Sequence, residues 1–219
     1  YQYAANNPIS FIDYAGTHIV GTQPAAQAAL VNTMQTHFNL TPTFQSNGLM
    51  QLNPDEVAAA RESLGISELS QLDGIQDVMG PDAIINVFTS PGTAPQNFSL
   101  SLSGPDAQGN PAEPKTELVN STQEEQFISS PSRPKNGAII FRNEQAETAT
   151  FNAVGGGKTN PCPTCLLIHA LLDHALPFIK GGSNATRVEG VGEHNKALKQ
   201  RGSPVRDGTD HYDGGMESR

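Results

Sequence analysis

The chain concentrates its chemically versatile side chains in its last third. Four of its six histidines, His169, His174, His194 and His211, follow the two cysteines, Cys162 and Cys165. Thiolates, imidazoles and carboxylates at such spacings can hold a metal ion, activate a thiol or move a proton. The run Cys165-Leu-Leu-Ile-His169-Ala-Leu-Leu-Asp173-His174-Ala-Leu-Pro177 is apolar enough for a buried helix that ends near Pro177. A histidine inside such a helix must find partners for its ring nitrogens. At about 100° per residue, Cys165, His169 and Asp173 share a sector about 80° wide, which makes them neighbours. Asp173 can then serve either as a partner to a ligand histidine or as a solvated helix position. His169 and His174 are five residues apart, about 140° around an ideal helix. They can share one metal only if the helix contains an extra-residue bulge, which widens the turn locally.

Residues 188–200 read as a loop entering a helix, with Glu193 and His194 in its first turn. Either can supply a third metal ligand. His194 is preferred, because a carboxylate at a helix start already has a structural reason to be there; Glu189 is the remaining alternative. The tail Pro204-Val-Arg206-Asp207-Gly-Thr-Asp210-His211-Tyr212 is rich in groups that orient a ligand histidine or contact a tetrahedral intermediate, His211 and Tyr212 above all. The alternative is a polar, flexible end. A Cys165–His169 dyad could activate a thiol, although side chains one turn apart on a buried helix more often pack. Gly155-Gly-Gly-Lys158-Thr159 lacks the upstream glycine and the strand-to-helix context of a phosphate loop.

The elements that must position these groups follow from pattern and punctuation. Apolar residues at helical spacing predict a helix over 23–38. Asn53-Pro54-Asp55-Glu56 is a helix start with a cap, a proline in the first turn and acids facing the dipole; Gly65 ends that helix. Another helix is expected over 67–79. Strands are expected at 84–89, 98–102 and 138–142, where β-branched and aromatic residues cluster. The polar, proline-rich stretch 104–136 reads as a loop or lid. The fold class is therefore α+β: helices first, a small sheet, then a metal-binding helix and a second ligand-bearing helix.

Composition narrows the partners. With 13 Lys+Arg against 22 Asp+Glu, the net charge of −9 disfavours nucleic acid, and the basic residues form no run to offset it. No apolar stretch reaches the length of a membrane span. Gly and Pro, 21 and 16 of 219 residues, predict long connections around a small core.

Two resemblances suggest a function. Residues 1–16, Tyr-Gln-Tyr-Ala-Ala-Asn-Asn-Pro-Ile-Ser-Phe-Ile-Asp-Tyr-Ala-Gly, read as two short strands around a turn. The segment resembles the end of an Rhs/YD-repeat core, departing from it at Tyr14, where a proline is usual, and at Thr17. The resemblance implies that 1–16 end a repeat shell and that 17–219 form its C-terminal toxin domain. Such a domain is secreted, delivered into a target cell, directed at a target-cell protein and countered by a cognate immunity protein. The second is His169-Ala170-Leu-Leu-Asp-His174, which resembles the stretched His-Glu-x-x-x-His helix of zinc metallopeptidases such as the dipeptidyl peptidase III class. It implies a zincin-like fold, zinc held by His169, His174 and a third ligand, and peptide-bond hydrolysis. Strand 138–142 would offer its edge to an extended substrate. Ala170 stands where the family has its glutamate base, so this sequence is expected to bind zinc and hydrolyse poorly. An engineered Glu→Ala change fits the flanking residues; a natural pseudoenzyme and an accidental likeness are the alternatives. Pro161-Cys162-Pro-Thr-Cys165 resembles the Pro-Cys-x-x-Cys half of zinc nucleobase deaminases, but these also need a His/Cys-x-Glu, and the nearest upstream candidate has Gln145 two residues before Glu147. The cysteines also fit a disulfide or a redox couple. A non-enzymatic cap or binding module of a repeat protein is the remaining class.

Overall fold

In the computed structural model of the chain the described residues are 18–79, 83–89, 97–100, 115–118, 125–130, 135–141, 147, 149–160, 162–181 and 191–209. The repeat-like residues 1–16, and Glu189, His211 and Tyr212, lie outside them. The order is β1 (His18–Gly21), α1 (Pro24–Phe38), β2 (Thr43–Phe44), β3 (Met50–Gln51), α2 (Pro54–Ser63), α3 (Ile66–Val78), β4 (Ala83–Thr89), β5 (Asn97–Leu100), β6 (Lys115–Leu118), β7 (Glu125–Ser130), β8 (Lys135–Phe141), β9 (Phe151–Asn152) and β10 (Lys158–Thr159). Four helical segments complete it: α4 (Pro163–His169), a π-helical stretch (Ala170–Ala175), α5 (Leu176–Lys180) and α6 (Gly192–Gln200). This is a mixed α+β architecture. Among the described residues, no helix is long and apolar enough to cross a membrane.

Local chemistry explains the helix ends. α1 starts with Pro24 in its first turn and stops at Asn39, whose φ of 54° is left-handed. The Asn53 side chain accepts from the Asp55 N–H at the start of α2, with Pro54, Asp55 and Glu56 in the first turn. α1 buries Ala26, Leu30, Met34 and Phe38, and α3 buries Leu72, Ile75 and Val78. α4 is buried on nearly every face, as its unbroken apolar run requires: Cys165, Leu166, Leu167, Ile168 and His169 are at most 1% exposed. Each buried leucine there stabilises the fold by about 2 kcal/mol. α4 thus runs through the core, against α1 and α6.

The main sheet has the order β1-β4-β8-β7, with β1 and β8 parallel to β4 and β7 antiparallel to β8. Three sequence expectations change here. The strand expected at 138–142 is β8, and it lies inside the sheet with both sides paired, so it offers no edge; among the described residues β7 is the outer strand next to it. The stretch 104–136, expected as a loop or lid, contributes β6 and β7. The chain also places β1 ahead of the helices. Gly137 on β8 makes room for the edge strand's side chain, since a Cβ there would meet the Phe127 ring at 2.9 Å.

Gly155, Gly156 and Gly157 all have positive φ and turn the β9–β10 pair; a strand follows them where a phosphate loop needs a helix. Lys158 donates to Asn152 Oδ1 at 2.6 Å.

Candidate functional site

The helix that begins at Pro163 does not keep its α-helical pitch. From Ala170 to Ala175 it is π-helical, and the Leu176 N–H donates to the Leu171 carbonyl five residues back. This wide turn brings the His169 and His174 rings to a centroid separation of 4.6 Å, nearly perpendicular at 71°. It also changes the role expected of Pro177. The helix continues beyond that proline as α5 and stops at Gly181, φ 76°. A proline crowds the preceding turn and lacks an N–H, and the widened turn just before it is where that misfit is absorbed.

Asp173 joins three groups. Its Oδ2 accepts from His169 Nδ1 at 2.8 Å, and its two oxygens accept from the Glu193 N–H, with Oδ2 also accepting from the His194 N–H, each at 3.2 Å. One carboxylate therefore orients His169 and caps the start of α6, which fixes the second helix against the first. It is 8% exposed, a partner to the histidine rather than a solvated position. Because a carboxylate accepts, His169 carries a proton on Nδ1, and in the neutral ring the lone pair is on Nε2, enclosed in the core.

His194 lies beside His169, ring centroids 5.4 Å apart. Two zinc-bound imidazoles in tetrahedral geometry have centroids about 5 Å apart, given zinc–nitrogen bonds of about 2.0–2.1 Å. Both spacings around His169 are near that value, yet among the described residues the ligand atoms of these three histidines do not converge within 4.8 Å as those of His37, Cys162 and Cys165 do. The hydrogen bonding of His194, however, differs from that of His169. Arg206 donates from Nη1 to His194 Nδ1 at 3.1 Å, and a guanidinium has nothing but donors. The neutral ring therefore keeps its proton on Nε2, and as bonded His194 is a donor where His169 is an acceptor. The ranking of His194 as third ligand changes accordingly. Arg206, 3% exposed, is set by Phe151, whose ring centroid lies 3.5 Å from the guanidinium carbon, and by Asn195, which brackets its backbone. Phe151 also meets the His194 ring edge-on at 5.8 Å.

Glu193 pairs with Lys196 at 2.5 Å and lines a cavity of about 520 Å³ with Leu172, Leu176 and Asp73. His174 stacks in parallel on Phe127 of β7, centroids 6.2 Å apart. Ala170 is 1% exposed and packed into the core. The close approach of α3 to this turn rests on Gly74, where a Cβ would stand 2.8 Å from Leu172.

The cysteine pair forms a separate cluster at the other end of α4. Cys162 and Cys165 are joined as a disulfide, which, with His169 committed to Asp173, excludes a Cys165–His169 dyad in this state. The third member is His37, 127 positions from Thr164 yet within 3.1 Å of its hydroxyl through Nε2. One ligand atom each from His37, Cys162 and Cys165 lie within 4.8 Å of one another. Burial holds the His37 pKa below its ordinary 6.5, only partly offset by its bond to Gln200, and Arg201 adds to the lowering. The sequence pattern offered only Gln145 in the place of this partner, a side chain with no imidazole or thiolate to give. The signal it left unused was a histidine in the last turn of an amphipathic helix that otherwise faces the core. Asn39 stands two residues beyond His37, where a deaminase has its glutamate.

No family model, curated protein or solved structure matches this chain.

Proposed function

We propose that the chain is the zinc-peptidase domain of an Rhs-type effector, with His169 and His174 holding the metal. The observation that carries this reading is the π-helical turn, which brings two histidines five residues apart into one ring cluster with Asp173 behind the first. Zinc bound there would supply Lewis-acid polarisation of a peptide carbonyl. The chain's own residues would do the rest. Asp173 holds His169 in the ligating tautomer. His194, a donor at Nε2, would answer negative charge developing on the substrate's carbonyl oxygen. The third ligand then falls to a carboxylate: Glu193 would have to leave Lys196 to reach the pair, and Glu189 is the alternative. The position of β7 at the sheet edge beside His174 supports an extended polypeptide as substrate, added as a further strand.

Ala170 leaves the site without the glutamate that would take a proton, so the sequence as it stands is a poor hydrolase. The host would be a secreted polypeptide whose repeat shell carries this domain to a target cell, with a protein there as substrate and an immunity protein as its antidote. Metal analysis of the chain with its disulfide closed tests the site: zinc is expected at one per chain and lost in both His169→Ala and His174→Ala. Ala170→Glu should raise protein cleavage by about 10²–10⁴-fold. A folded, zinc-loaded Ala170→Glu chain that cleaves no protein overturns the peptidase reading. Zinc that depends on the cysteines alone would leave the histidine pair without a metal role, and a chain that binds none would favour a cap or binding module.

A further inference from the structure

We propose that the reduced chain holds a thiophilic divalent cation, zinc above all, through Cys162 Sγ, Cys165 Sγ and His37 Nε2, so that the thiols either close a disulfide at the start of α4 or join His37 in a metal clamp between α4 and α1. The inference does not rest on the histidine site above. Its ground is a convergent donor set: two thiols spaced Cys-x-x-Cys and one imidazole, all within 4.8 Å. Tetrahedral zinc with bonds of about 2.3 Å to sulfur and 2.0–2.1 Å to nitrogen separates its ligand atoms by about 3.5–3.8 Å, inside that spread. Cys162 Sγ already accepts from the Cys165 N–H at 3.0 Å, the type of bond that supports a metal-bound thiolate.

The histidine is held in the required tautomer by a chain of amides. Gln71 Nε2 donates to the Glu193 carbonyl at 3.0 Å, Gln200 Nε2 donates to Gln71 Oε1 at 3.0 Å, and Gln200 Oε1 faces His37 Nδ1 at 3.4 Å. A backbone carbonyl can only accept, so the direction of every bond in the chain is set from that end. Gln71 must present its oxygen to Gln200, Gln200 its oxygen to His37, and Nδ1 must therefore carry the proton. Nε2 is left with its lone pair, and it faces Thr164 Oγ1, which is itself 3.4 Å from Cys162 Sγ. Thr164 holds the place beside the sulfur until the thiols are released. A dithiol reductant would break the Cys162–Cys165 bond, giving up two electrons and two protons and becoming a disulfide itself. Zinc would then displace the two thiol protons.

Cobalt(II) is the probe, because only thiolate ligation produces a near-ultraviolet sulfur-to-cobalt charge-transfer band, which separates this site from an all-histidine one. The full chain is reduced with dithiothreitol, freed of it anaerobically by gel filtration, and titrated. The band is expected at one equivalent in the reduced chain, absent in the oxidised chain, lost in Cys162→Ser and His37→Ala, and reached at about tenfold higher free cobalt in Gln200→Leu. Zinc should also protect both thiols of the unsubstituted chain from alkylation, a measurement that needs no variant to fold. No band and no protection in the reduced chain overturns the proposal, as does a band unchanged in His37→Ala. A thiolate band alongside no metal at His169 and His174 would sink the peptidase reading alone.

Discussion

The two ends of α4 each carry a buried histidine cluster, and they are oriented by opposite means. At the C-terminal end a carboxylate, Asp173, holds His169 and caps α6. At the N-terminal end a neutral relay of two glutamines holds His37. The proton sits on Nδ1 in both, so each neutral ring has its lone pair on Nε2. What differs is charge. A carboxylate partner raises the basicity of its imidazole and strengthens it as a ligand, whereas an amide leaves the ring neutral in a site whose burial already lowers its pKa. The first environment suits a centre that handles changing charge, the second a clamp.

The largest way to break this contrast is Asp173→Ala. It strands the His169 Nδ1–H and two backbone N–H groups of α6, and should cost about 3 kcal/mol in urea unfolding. A loss under about 1 kcal/mol would mean that the carboxylate does not tie the two helices together. Next comes Gly137→Val, whose side chain would push Phe127 from its place against His174 at a cost of about 1–3 kcal/mol. The ring protons of His174 should shift in NMR spectra while those of His37 do not, and equal shifts in both would show that the clusters are not separate. Gln71→Leu, which cuts the relay and leaves the Glu193 carbonyl and a Gln200 N–H unmet, should cost about 1–2 kcal/mol and leave zinc at His169 unchanged. Zinc lost from His169 in that variant would merge the two sites into one.

The smallest effect is one of pH. With the disulfide closed, His37 has a folded-state pKa below 6.5, so the unfolded chain binds the proton more readily. Its contribution to stability is complete above pH 6.5, declines as pH falls below that value, and stops declining below the folded pKa. The slope should vanish in His37→Gln, as read by thermal melts of the oxidised chain.

Much of this arrangement could be read from local sequence. The cap at Asn53, the helix over 23–38 and the buried run after Cys165 are decided by neighbours within a few residues, and the structure places elements there. The five-residue spacing of His169 and His174 demands a bulge if their rings are to meet, and Ala170–Ala175 supplies it. Less legible were strands such as β6, Lys-Thr-Glu-Leu, and β7, Glu-Gln-Phe-Ile-Ser-Ser, which have few apolar residues and sit among prolines. Their pairing is decided by partners elsewhere in the chain. The His37 cluster is the extreme case, joining residues more than a hundred positions apart, and no local pattern marks such a contact. The proton on His194 was hidden for the same reason, because Arg206 comes from the tail after α6.

The π-helical turn also governs how this chain can change length. It is one residue wider than the turn it replaces, so deleting any residue between His169 and His174 would let the helix close to ordinary pitch. The segments on either side would keep nearly their present orientation, because five residues of the wide turn and four of an ordinary one advance the chain by almost the same angle. Leu176 would stay over Gly74, and Phe178 would keep its edge contact with Phe127 at 5.6 Å. The two histidines would then stand four apart, neighbours on one face of a regular helix. The extra residue is therefore one that a lineage can gain or lose locally, resetting how the two rings meet while α5 stays seated on the core.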